Sequence, residues 1–424
     1  MYLSQGNACL AVFGATGYKQ RAPYLEYYLL EGSDASQDFP ESYSVEPGFA
    51  EVAVHAALDE SRRLIFLGDS RRVKSFAWAA PNGEAYEEPH PTHTLASNRV
   101  HGPLAVLLNG TVLRAGKGEV AVWNIDSLNT HGESGEQIIG KEDESIRENT
   151  WRDDPEEIEA SSGSSPDSYI RFAGHPDWEI GRWKPLIQTP STMLCQINRY
   201  ACGTIDMERG GSIAARYLGH GGTLTDFAFS GGDPQVFATA CSDGFARLFD
   251  IRTPLPVLTF DACQNIDSCD AVALAHPDGI PTLFSGTCKA HQIKVWDIRA
   301  RTPVYELATG NNQVQALAWD PTRNHLYAAT ECGYLDRMGN HHEYRYVRKE
   351  AGRAPGNDSD DEDDEYLEGE QAWPENAWHT ENYFSYMFDA GDHRIYRYAF
   401  KEDPDISILP GYGDATPGGF DSYW

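Results

Sequence analysis

The feature that most constrains the fold is a repeat in the middle of the chain. Residues 224–252 read LTDFAFSGGDPQVFATACSDGFARLFDIR, and residues 271–299 read AVALAHPDGIPTLFSGTCKAHQIKVWDIR. In both copies three apolar runs are separated by polar turns, and the third run ends in an aromatic residue followed by Asp. Short apolar runs bounded by Gly, Asp and Pro are typical of β-strands. The closing aromatics, Phe249 and Trp296, are 47 residues apart, a period that indicates a repeat architecture.

The same succession of strand, turn and strand recurs, with varying clarity, elsewhere in the chain. The further units are residues 52–78, 103–126, 193–222, 314–338 and 383–400. In the unit 314–338, Leu326 stands 43 residues after Leu283, but the closing Trp-Asp is missing. A single unit would be a small sheet with unpaired edges and an uncovered face, so it would not be stable alone in water. Radial packing of seven such sheets removes both defects.

We therefore predict an all-β fold, a seven-bladed β-propeller that forms a single domain over residues 1–424. The ring has to close, and the apolar residues 8–15 are expected to complete the last blade beside the C-terminal hairpin. Residues 20–49 are rich in Tyr, Glu, Ser and Pro without a clear period, which predicts a long connection on one face of the ring. Residues 169–185 are either strands of the third blade or a docking segment.

Several residues of these repeats resemble the motifs of the WD-repeat family. They are Gly219, His220 and Asp243, the closing pairs Phe249 with Asp250 and Trp296 with Asp297, and Asp392, which precedes a strand that has Tyr398 in the aromatic position. In that family a His, a turn Asp and the Trp form a buried hydrogen-bonded network in each blade, and the resemblance implies the same role here. Because Phe249 has no indole N–H, the network is expected to be incomplete in the first copy, and the second copy lacks a matching turn Asp.

The charge of the chain restricts the class of partner. The sequence has 34 Lys and Arg against 64 Asp and Glu, a formal net charge of -30. Long-range repulsion opposes binding to phosphate backbones, so direct contact with nucleic acid is not expected. A basic protein, such as one with a histone-like tail, is a better electrostatic match, and a merely soluble acidic protein is the alternative. With no run of about 18 apolar residues to span a membrane, we expect a protein of the cytoplasm, or alternatively the nucleus, within a multiprotein complex.

Two acidic segments interrupt the repeats and carry much of this charge. Residues 127–168 contain twelve Asp or Glu and three Lys or Arg, and residues 358–370 contain nine acidic residues and no basic one. Their sparse apolar residues bury too little surface to offset the entropy of ordering, so residues 127–168 and 353–371 are predicted to be mobile insertions. Ser359 precedes three acidic residues and resembles an acidophilic kinase site, with an unregulated solvated loop as the alternative.

The sequence contains no recognisable motif for catalysis or for a cofactor. GxSxG, GxxxxGK[ST], HExxH and a GxGxxG that follows a strand are all missing. We therefore predict no catalytic, cofactor-binding or metal-binding residues. The eight cysteines lie mostly in apolar runs without paired CxxC spacing, which favours free buried thiols. An enzyme whose residues meet at the central channel from several blades is an alternative that sequence spacing does not test.

The predicted fold favours a non-catalytic scaffold for other proteins, because a ring of small sheets supports variable loops on a rigid core. The two copies of Asp-Ile-Arg that end the repeats also resemble the WDxR box of substrate receptors of cullin-four ubiquitin ligases. In that family the Arg after the third strand contacts the linker protein of the ligase, which implies this role for Arg252 and Arg299. The alternative is that both arginines simply cap strand ends or pair with neighbouring acids.

Overall fold

The structure is a computed structural model that describes residues 1–30, 39–80, 83–84, 86, 89–148, 150–263, 267–347, 371–381, 383 and 388–400. Within these ranges the chain forms eight antiparallel sheets. Seven of them are the blades, which we call blades 1 to 7 in chain order, and the eighth is a two-stranded hairpin. Helix there is restricted to the short α1 (Ser145–Glu148) and to 3-10 turns at Tyr18–Gln20, Ile125–Ser127, Pro155–Glu157 and Pro277–Gly279. No helix in the described part is long and apolar enough to cross a membrane.

Blades 1 to 3 each contain four strands that pair in the order of the sequence. Blade 1 consists of β1 (Tyr2–Leu3), β2 (Cys9–Thr16), β3 (Ala22–Leu29) and β4 (Ser42–Val45). Blade 2 consists of β5 (His55–Asp59), β6 (Leu64–Gly68), β7 (Arg72–Ala77) and β8 (Pro91–Ala96). Blade 3 consists of β9 (Leu104–Val106), β10 (Thr111–Ala115), β11 (Glu119–Asn124) and β12 (Ser168–Arg171).

Blades 4 to 6 repeat this plan, and blade 7 departs from it. Blade 4 consists of β13 (Ile180–Pro185), β14 (Thr192–Ile197), β15 (Ala201–Asp206) and β16 (Ser212–Tyr217). Blade 5 consists of β17 (Leu224–Phe229), β18 (Val236–Cys241), β19 (Phe245–Asp250) and β20 (Leu258–Asp261). Blade 6 consists of β21 (Cys269–Ala275), β22 (Thr282–Thr287), β23 (Gln292–Asp297) and β24 (Thr302–Ala308). Blade 7 consists of β25 (Gln313–Asp320), β26 (His325–Glu331) and a third strand that comes much later in the chain, β29 (Arg394–Ala399). Between β26 and β29 the chain forms a separate hairpin of β27 (Tyr344–Val347) and β28 (Gln371–Pro374).

The first strands of the seven blades form a closed circle. Strand β1 contacts β5, and the contacts continue through β9, β13, β17, β21 and β25 back to β1. The seven-bladed β-propeller predicted from the sequence is therefore confirmed. Where blade 7 meets blade 1, the guanidinium of Arg323 bonds to Asp320 at 2.7 Å, donates to the carbonyl oxygen of Asn7 at 3.1 Å and also bonds to that of Leu30.

The hydrophobic core lies between neighbouring blades. Between blades 5 and 6, for example, Leu248 and Phe260 pack with Val272, Leu274 and Trp296. Each large apolar side chain that is fully buried in this way contributes about 1.5 to 3 kcal/mol relative to an exposed one. An isolated blade would expose this surface to water, so the blades stabilise one another.

Two predictions about the ends of the chain were wrong. Residues 8–15 do not complete the last blade, because β2 pairs with β1 and β3 inside blade 1. Residues 20–49 are not a connection, since they supply β3 and β4 of the same blade. The units 314–338 and 383–400 belong to one blade, in which Leu326 on β26 lies opposite Tyr398 on β29. The count of seven was right, but blade 1 had been missed and blade 7 counted twice.

The acidic insertion 127–168, described except for residue 149, is packed on the ring. Its buried residues are His131, Ile139, Ile146, Arg152, Ile158, Ala160, Ser161 and Gly163. Ser164 continues blade 2 beyond β8, because its carbonyl accepts the N–H of Ala96 at 2.9 Å and its own N–H donates to the carbonyl of Thr94 at 2.8 Å. The composition argument for mobility assumed too little buried surface, and the packing contradicts that assumption.

The other interpreted segments have simpler outcomes. Of residues 169–185, the beginning belongs to β12 and the end forms β13, so the segment supplies strands to blades 3 and 4. Residues 353–370 of the second acidic segment, among them Ser359, lie outside the described residues. Gln371, the last residue of that segment, begins β28.

Candidate protein-interaction surfaces

The first cluster of motif residues holds the strands of blade 5 together. Nε2 of His220 lies 3.0 Å from Oγ1 of Thr239, and its ring stacks on Phe249 with 5.3 Å between the centroids. Phe249 also stacks on Phe237 at 5.2 Å, so ring packing takes the place of the bond that an indole would make. Burial, with a smaller contribution from Arg247, lowers the pKa of His220 to about 4 and keeps the ring neutral at pH 7.

Asp243 joins the link before blade 5 to the turn before its third strand. Its carboxylate accepts hydrogen bonds from the backbone N–H of Gly221 at 2.7 Å and of Phe245 at 3.2 Å, and from Nη1 and Nη2 of Arg247 at 3.0 and 2.7 Å. Burial alone would raise the pKa of Asp243, but the bonds from Arg247 and Gly221 outweigh it and lower the pKa. Gly219 precedes this link with a φ of 107°, where a Cβ would lie 3.3 Å from Cδ of Pro256.

Blade 6 uses different residues for the same purpose. The indole N–H of Trp296 donates to Oγ of Ser285 at 2.9 Å in the interior. Its second turn has no counterpart of Asp243, and Asp267 from the preceding link supplies the carboxylate instead. Asp267 accepts the backbone N–H of Ala290 at 2.9 Å and also that of Lys289. Sequence reasoning missed Asp267, and its only signal was a position two residues before the first strand.

The structure places Asp392 in the turn before β29. Its carbonyl oxygen accepts a hydrogen bond from Nδ2 of Asn312 at 2.8 Å, and its carboxylate accepts the N–H of His393 at 2.7 Å. Tyr398 on the same strand donates its hydroxyl to the carbonyl of Ala308 in blade 6 at 2.7 Å. These two residues therefore connect the third strand of blade 7 to its own first strand and to the neighbouring blade.

Comparison with known proteins gives short matches. No family model matches the sequence. The chain is 28% identical over 116 residues to coatomer subunit beta'-2 of Arabidopsis thaliana, and 31% identical over 118 residues to coronin-7 of Bos taurus. Each match covers 27% of this chain and 12% of the relative. The crystal structure of the WD40 β-propeller domain of Doa1 is similar with a TM-score of 0.48 and 11% identity, over 77% of this chain and 87% of that one.

Seven sheets in a closed ring carry the Gly-His pair and the turn Asp in blade 5 and the Trp-Asp pair in blade 6. The chain is a seven-bladed β-propeller with motif residues that resemble those of WD repeats. The interior of this propeller is filled by side chains that hold the blades together, so candidate binding residues have to be sought on its surface. Three surface features stand out: a pair of arginines, an acidic insertion and a cavity.

Arg252 and Arg299 occupy the same position in neighbouring blades of the propeller, after the third strand. Nε and Nη2 of Arg252 donate to the carboxylate of Asp250 at 2.8 and 2.5 Å, and those of Arg299 donate to Asp297 at 3.2 and 3.0 Å. The first pairing lowers the pKa of Asp250 to about 2. The arginine side chains are nevertheless 70% and 59% exposed, so each guanidinium is oriented by its own Asp and still open to solvent.

The insertion 127–168 is fixed to the propeller by a buried charge cluster. Oε2 of Glu159 lies 3.1 Å from Nζ of Lys74 and 3.4 Å from Nη1 of Arg72, and both cations also donate to the carbonyl of Gly48. Burial lowers the pKa of Lys74 to about 7, with Glu159 opposing the shift. Burial would raise the pKa of Glu159, but Lys74 and the hydroxyl of Ser161 dominate and hold it near 2. Glu159 is therefore an anion at neutral pH that clamps the insertion to blade 2.

The outer side of the anchored insertion is acidic. Ten of its carboxylates are exposed, and one of them, Asp167, accepts the backbone N–H of Asn124 at 2.8 Å. We call the other nine the acidic surface: Glu133, Glu136, Glu142, Glu144, Glu148, Asp153, Asp154, Glu156 and Glu157. Two of them are bonded to arginines, Glu144 to Arg147 at 2.9 Å and Glu157 to Arg152 at 3.0 Å. In the described part of the chain no group of three or more His, Cys, Asp or Glu is placed to hold a metal ion.

Proposed function

We propose that this propeller is a non-catalytic scaffold that holds other proteins together and that its acidic surface binds basic partners. The observation that supports the proposal most is the anchoring of insertion 127–168, since buried contacts to blades 1 and 2 hold nine exposed carboxylates on the ring. A surface that is already ordered loses less conformational entropy on binding than a mobile loop does. Its negative potential also speeds encounter with cationic segments and makes binding sensitive to salt.

The test measures binding of a fluorescein-labelled, lysine-rich peptide by anisotropy over a salt series. The variant combines Glu133→Gln, Asp153→Asn and Asp154→Asn, three exposed positions of the acidic surface. We expect binding about fivefold weaker and a shallower salt dependence, because three exposed charge contacts of a few tenths of a kcal/mol are lost. A matched control combines Glu208→Gln, Asp261→Asn and Asp278→Asn, which are exposed on blades 4 to 6.

The control removes the same charge from the other part of the ring. Its affinity should stay within about twofold of the unchanged protein, because exposed charges more than a Debye length of about 8 Å away are screened. Equal losses in both variants would mean that only net charge attracts the peptide. Affinity and salt slope that stay the same in the acidic-surface variant would remove this surface from the proposal.

The second candidate function is that of a substrate receptor for a cullin-four ubiquitin ligase. It is favoured by the placement of Arg252 and Arg299, which are exposed at equivalent positions of adjacent blades and held in one orientation by Asp250 and Asp297. Preoriented guanidinium groups suit planar, bidentate contacts with carboxylates of another protein. This role would use a different surface of the ring from the acidic insertion.

A pull-down with the purified linker protein of the cullin-four ligase tests this second candidate. Arg252→Ala combined with Arg299→Ala should abolish recovery of the linker protein. Arg171→Ala combined with Arg209→Ala, two side chains that are 82% and 81% exposed, should leave recovery as it is. If the unchanged propeller recovers no linker protein, the adaptor role is rejected while the scaffold proposal still stands.

A further inference from the structure

A cavity of about 560 Å³ opens where three parts of the chain that are distant in sequence meet. The turn between β2 and β3 contributes Lys19 and Arg21, the acidic insertion contributes Trp151, and the insertion of blade 7 contributes Arg337 and Met338. We call this cavity the cationic pocket. Its volume lies in the range of about 300 to 1,000 Å³ that is usual for ligand sites. It is therefore large enough to hold a few side chains of a peptide.

The wall of the cationic pocket combines an aromatic ring with fixed positive charge. Trp151 is 79% exposed, which is unusual for so large an apolar side chain. The guanidinium of Arg21 lies 5.8 Å from the centroid of the Trp151 ring, and Nη1 of Arg21 donates to the carbonyl oxygen of Trp151 at 3.3 Å. Trp151 therefore holds Arg21 in place, and a ligand would lie beside both side chains.

The other charges around the pocket also favour an anion. Lys19 and Arg337 are exposed, and neither forms an ion pair among the described residues. Of the two carboxylates in the wall, that of Asp336 already accepts the backbone N–H of Met338 at 2.8 Å and of Asn340 at 2.9 Å. Those bonds lower the pKa of Asp336, so its carboxylate stays ionised. Arg152 also lines the pocket but is bonded to Glu46 and Glu157, so three other cations face the two carboxylates of Asp336 and Glu51.

The backbone of the first turn is held in an unusual conformation. Lys19 and Gln20 both have positive φ, 56° and 52°, and so does Gly17 two residues before Lys19, with 70°. Two consecutive residues other than glycine in this region carry a cost of order 1 to 3 kcal/mol each, and such strain concentrates at binding sites. The turn therefore keeps Lys19 beside the cavity.

We infer that the cationic pocket binds an acidic peptide segment of a partner protein, with carboxylates on Lys19, Arg21 and Arg337 and an apolar residue against Trp151. The argument for this occupant is charge complementarity: besides the paired Arg152, three cations that form no ion pair among the described residues surround an apolar wall on a molecule whose net charge is -30. The inference goes beyond the proposed function, because its ligand has the opposite charge and is held by cations, although Trp151 and Arg152 of the same insertion line the pocket.

The test uses a fluorescein-labelled acidic peptide, acetyl-EDELDE-amide, with the full chain. Lys19→Glu combined with Arg337→Glu should weaken binding at least about tenfold, because two attractive contacts become repulsive. Arg171→Glu combined with Arg209→Glu is the matched control, since it changes net charge equally at two exposed positions and should weaken binding less than about twofold. Trp151→Ala, which removes an exposed side chain, should also weaken binding while thermal unfolding stays unchanged.

Three outcomes would overturn the inference. They are no binding of the acidic peptide to the unchanged chain, equal loss in the pocket and control variants, and binding that appears only after residues 358–370 are deleted. The last result would give the pocket to the acidic segment of the same chain. The lysine-rich peptide should bind all pocket variants at least as well as the unchanged chain, so failure here is distinguishable from failure of the scaffold proposal.

Discussion

At the scale of single residues, the propeller contains two kinds of Asp–Arg pair that look alike in the sequence. Asp243 pairs with Arg247, whose side chain is 8% exposed, whereas Asp250 pairs with Arg252, whose side chain is 70% exposed. Water can replace the carboxylate around an exposed guanidinium but not around a buried one. The first pair therefore supports the fold, and the second is free to serve another protein.

The two aspartates should respond very differently to the same substitution. Asp243→Ala leaves a buried guanidinium and the N–H of Gly221 without an acceptor, so we expect the free energy of unfolding to fall by about 3 kcal/mol. Asp250→Ala should lower it by less than about 1 kcal/mol. Urea unfolding followed by circular dichroism measures both changes. Equal losses would show that burial of the arginine does not decide the role of the pair.

Sequence reasoning recognised some of these residues and missed others for a physical reason. Trp296 occupies the position of Phe249 in the other copy, so a comparison of the two copies finds it, and Asp243 was recognised because it resembles the turn Asp of WD repeats. Asp267 accepts a hydrogen bond from a turn more than twenty residues later in the chain. Thr239 is one of many threonines in strands, and only its hydrogen bond with His220 in the folded chain distinguishes it. A hydrogen bond between two segments that are distant in the chain leaves no local pattern in the sequence.

At the scale of elements, the insertion 127–168 acts as a strap along the outer edge of blade 2. Edge strands expose unpaired backbone groups that invite aggregation, and the bonds of Ser164 with Thr94 and Ala96 cover part of the edge of β8. The strap is held by the carboxylate of Glu159 between Lys74 and Arg72. Blade 2 and the acidic surface therefore depend on one buried anion.

Removal of that anion should loosen the strap. Glu159→Gln keeps the shape of the side chain but removes the carboxylate that forms ion pairs with two buried cations, at a cost of about 3 kcal/mol at pH 6. Limited proteolysis within residues 127–168 should become faster, whereas Glu156→Gln, a control at an exposed position of the same insertion, should not change it.

The cost of Glu159→Gln should also depend on pH in a defined direction. Burial lowers the pKa of Lys74 from 10.5 to about 7, so folding releases a proton between these values and this contribution to stability rises with pH. At pH 9 the folded Lys74 is mostly neutral and needs no anion beside it. Proteolysis of the variant should therefore differ less from the unchanged protein at pH 9 than at pH 6, and a larger difference at pH 9 would contradict this account.

The elements that sequence reasoning misplaced are those whose pattern is weak or interrupted. In β3 the buried positions Pro23, Leu25 and Tyr27 alternate with half-exposed ones, but a proline and tyrosines with polar hydroxyl groups hide this period of two. Strand β29 is separated from β26 by more than sixty residues, so it looks like the start of a new unit. The strap has isolated isoleucines, whose burial depends on a surface that other blades provide.

At the scale of the whole molecule, the ring is a closed structure in which neutral histidines are buried at many points. Burial lowers the pKa of His55, His93, His220 and His291 to about 4 and that of His379 to about 3. These rings lie in blades 2, 5 and 6 and in the insertion of blade 7. Because every blade is needed to close the circle, proton binding by any of these imidazoles favours unfolding of the whole ring.

Acid should therefore destabilise the propeller well above the pH at which its carboxylates are titrated. The five histidines have a pKa of 6.5 when unfolded and a lower one when folded, so their contribution is complete above pH 6.5 and is lost as pH falls towards 4. At about 1 kcal/mol for each ring, the melting temperature should fall by about 5 to 10 °C between pH 7 and pH 5. An opposing effect would raise the melting temperature: as carboxylates are protonated, the net charge of -30 becomes smaller in magnitude and repulsion within the molecule weakens. Calorimetry at pH 7 and pH 5 shows which of the two effects is larger. The variant His220→Gln, which gains no proton, should show a smaller fall in melting temperature than the unchanged protein. A melting temperature that rises on acidification would mean that repulsion between carboxylates, rather than buried imidazoles, limits the stability of the ring.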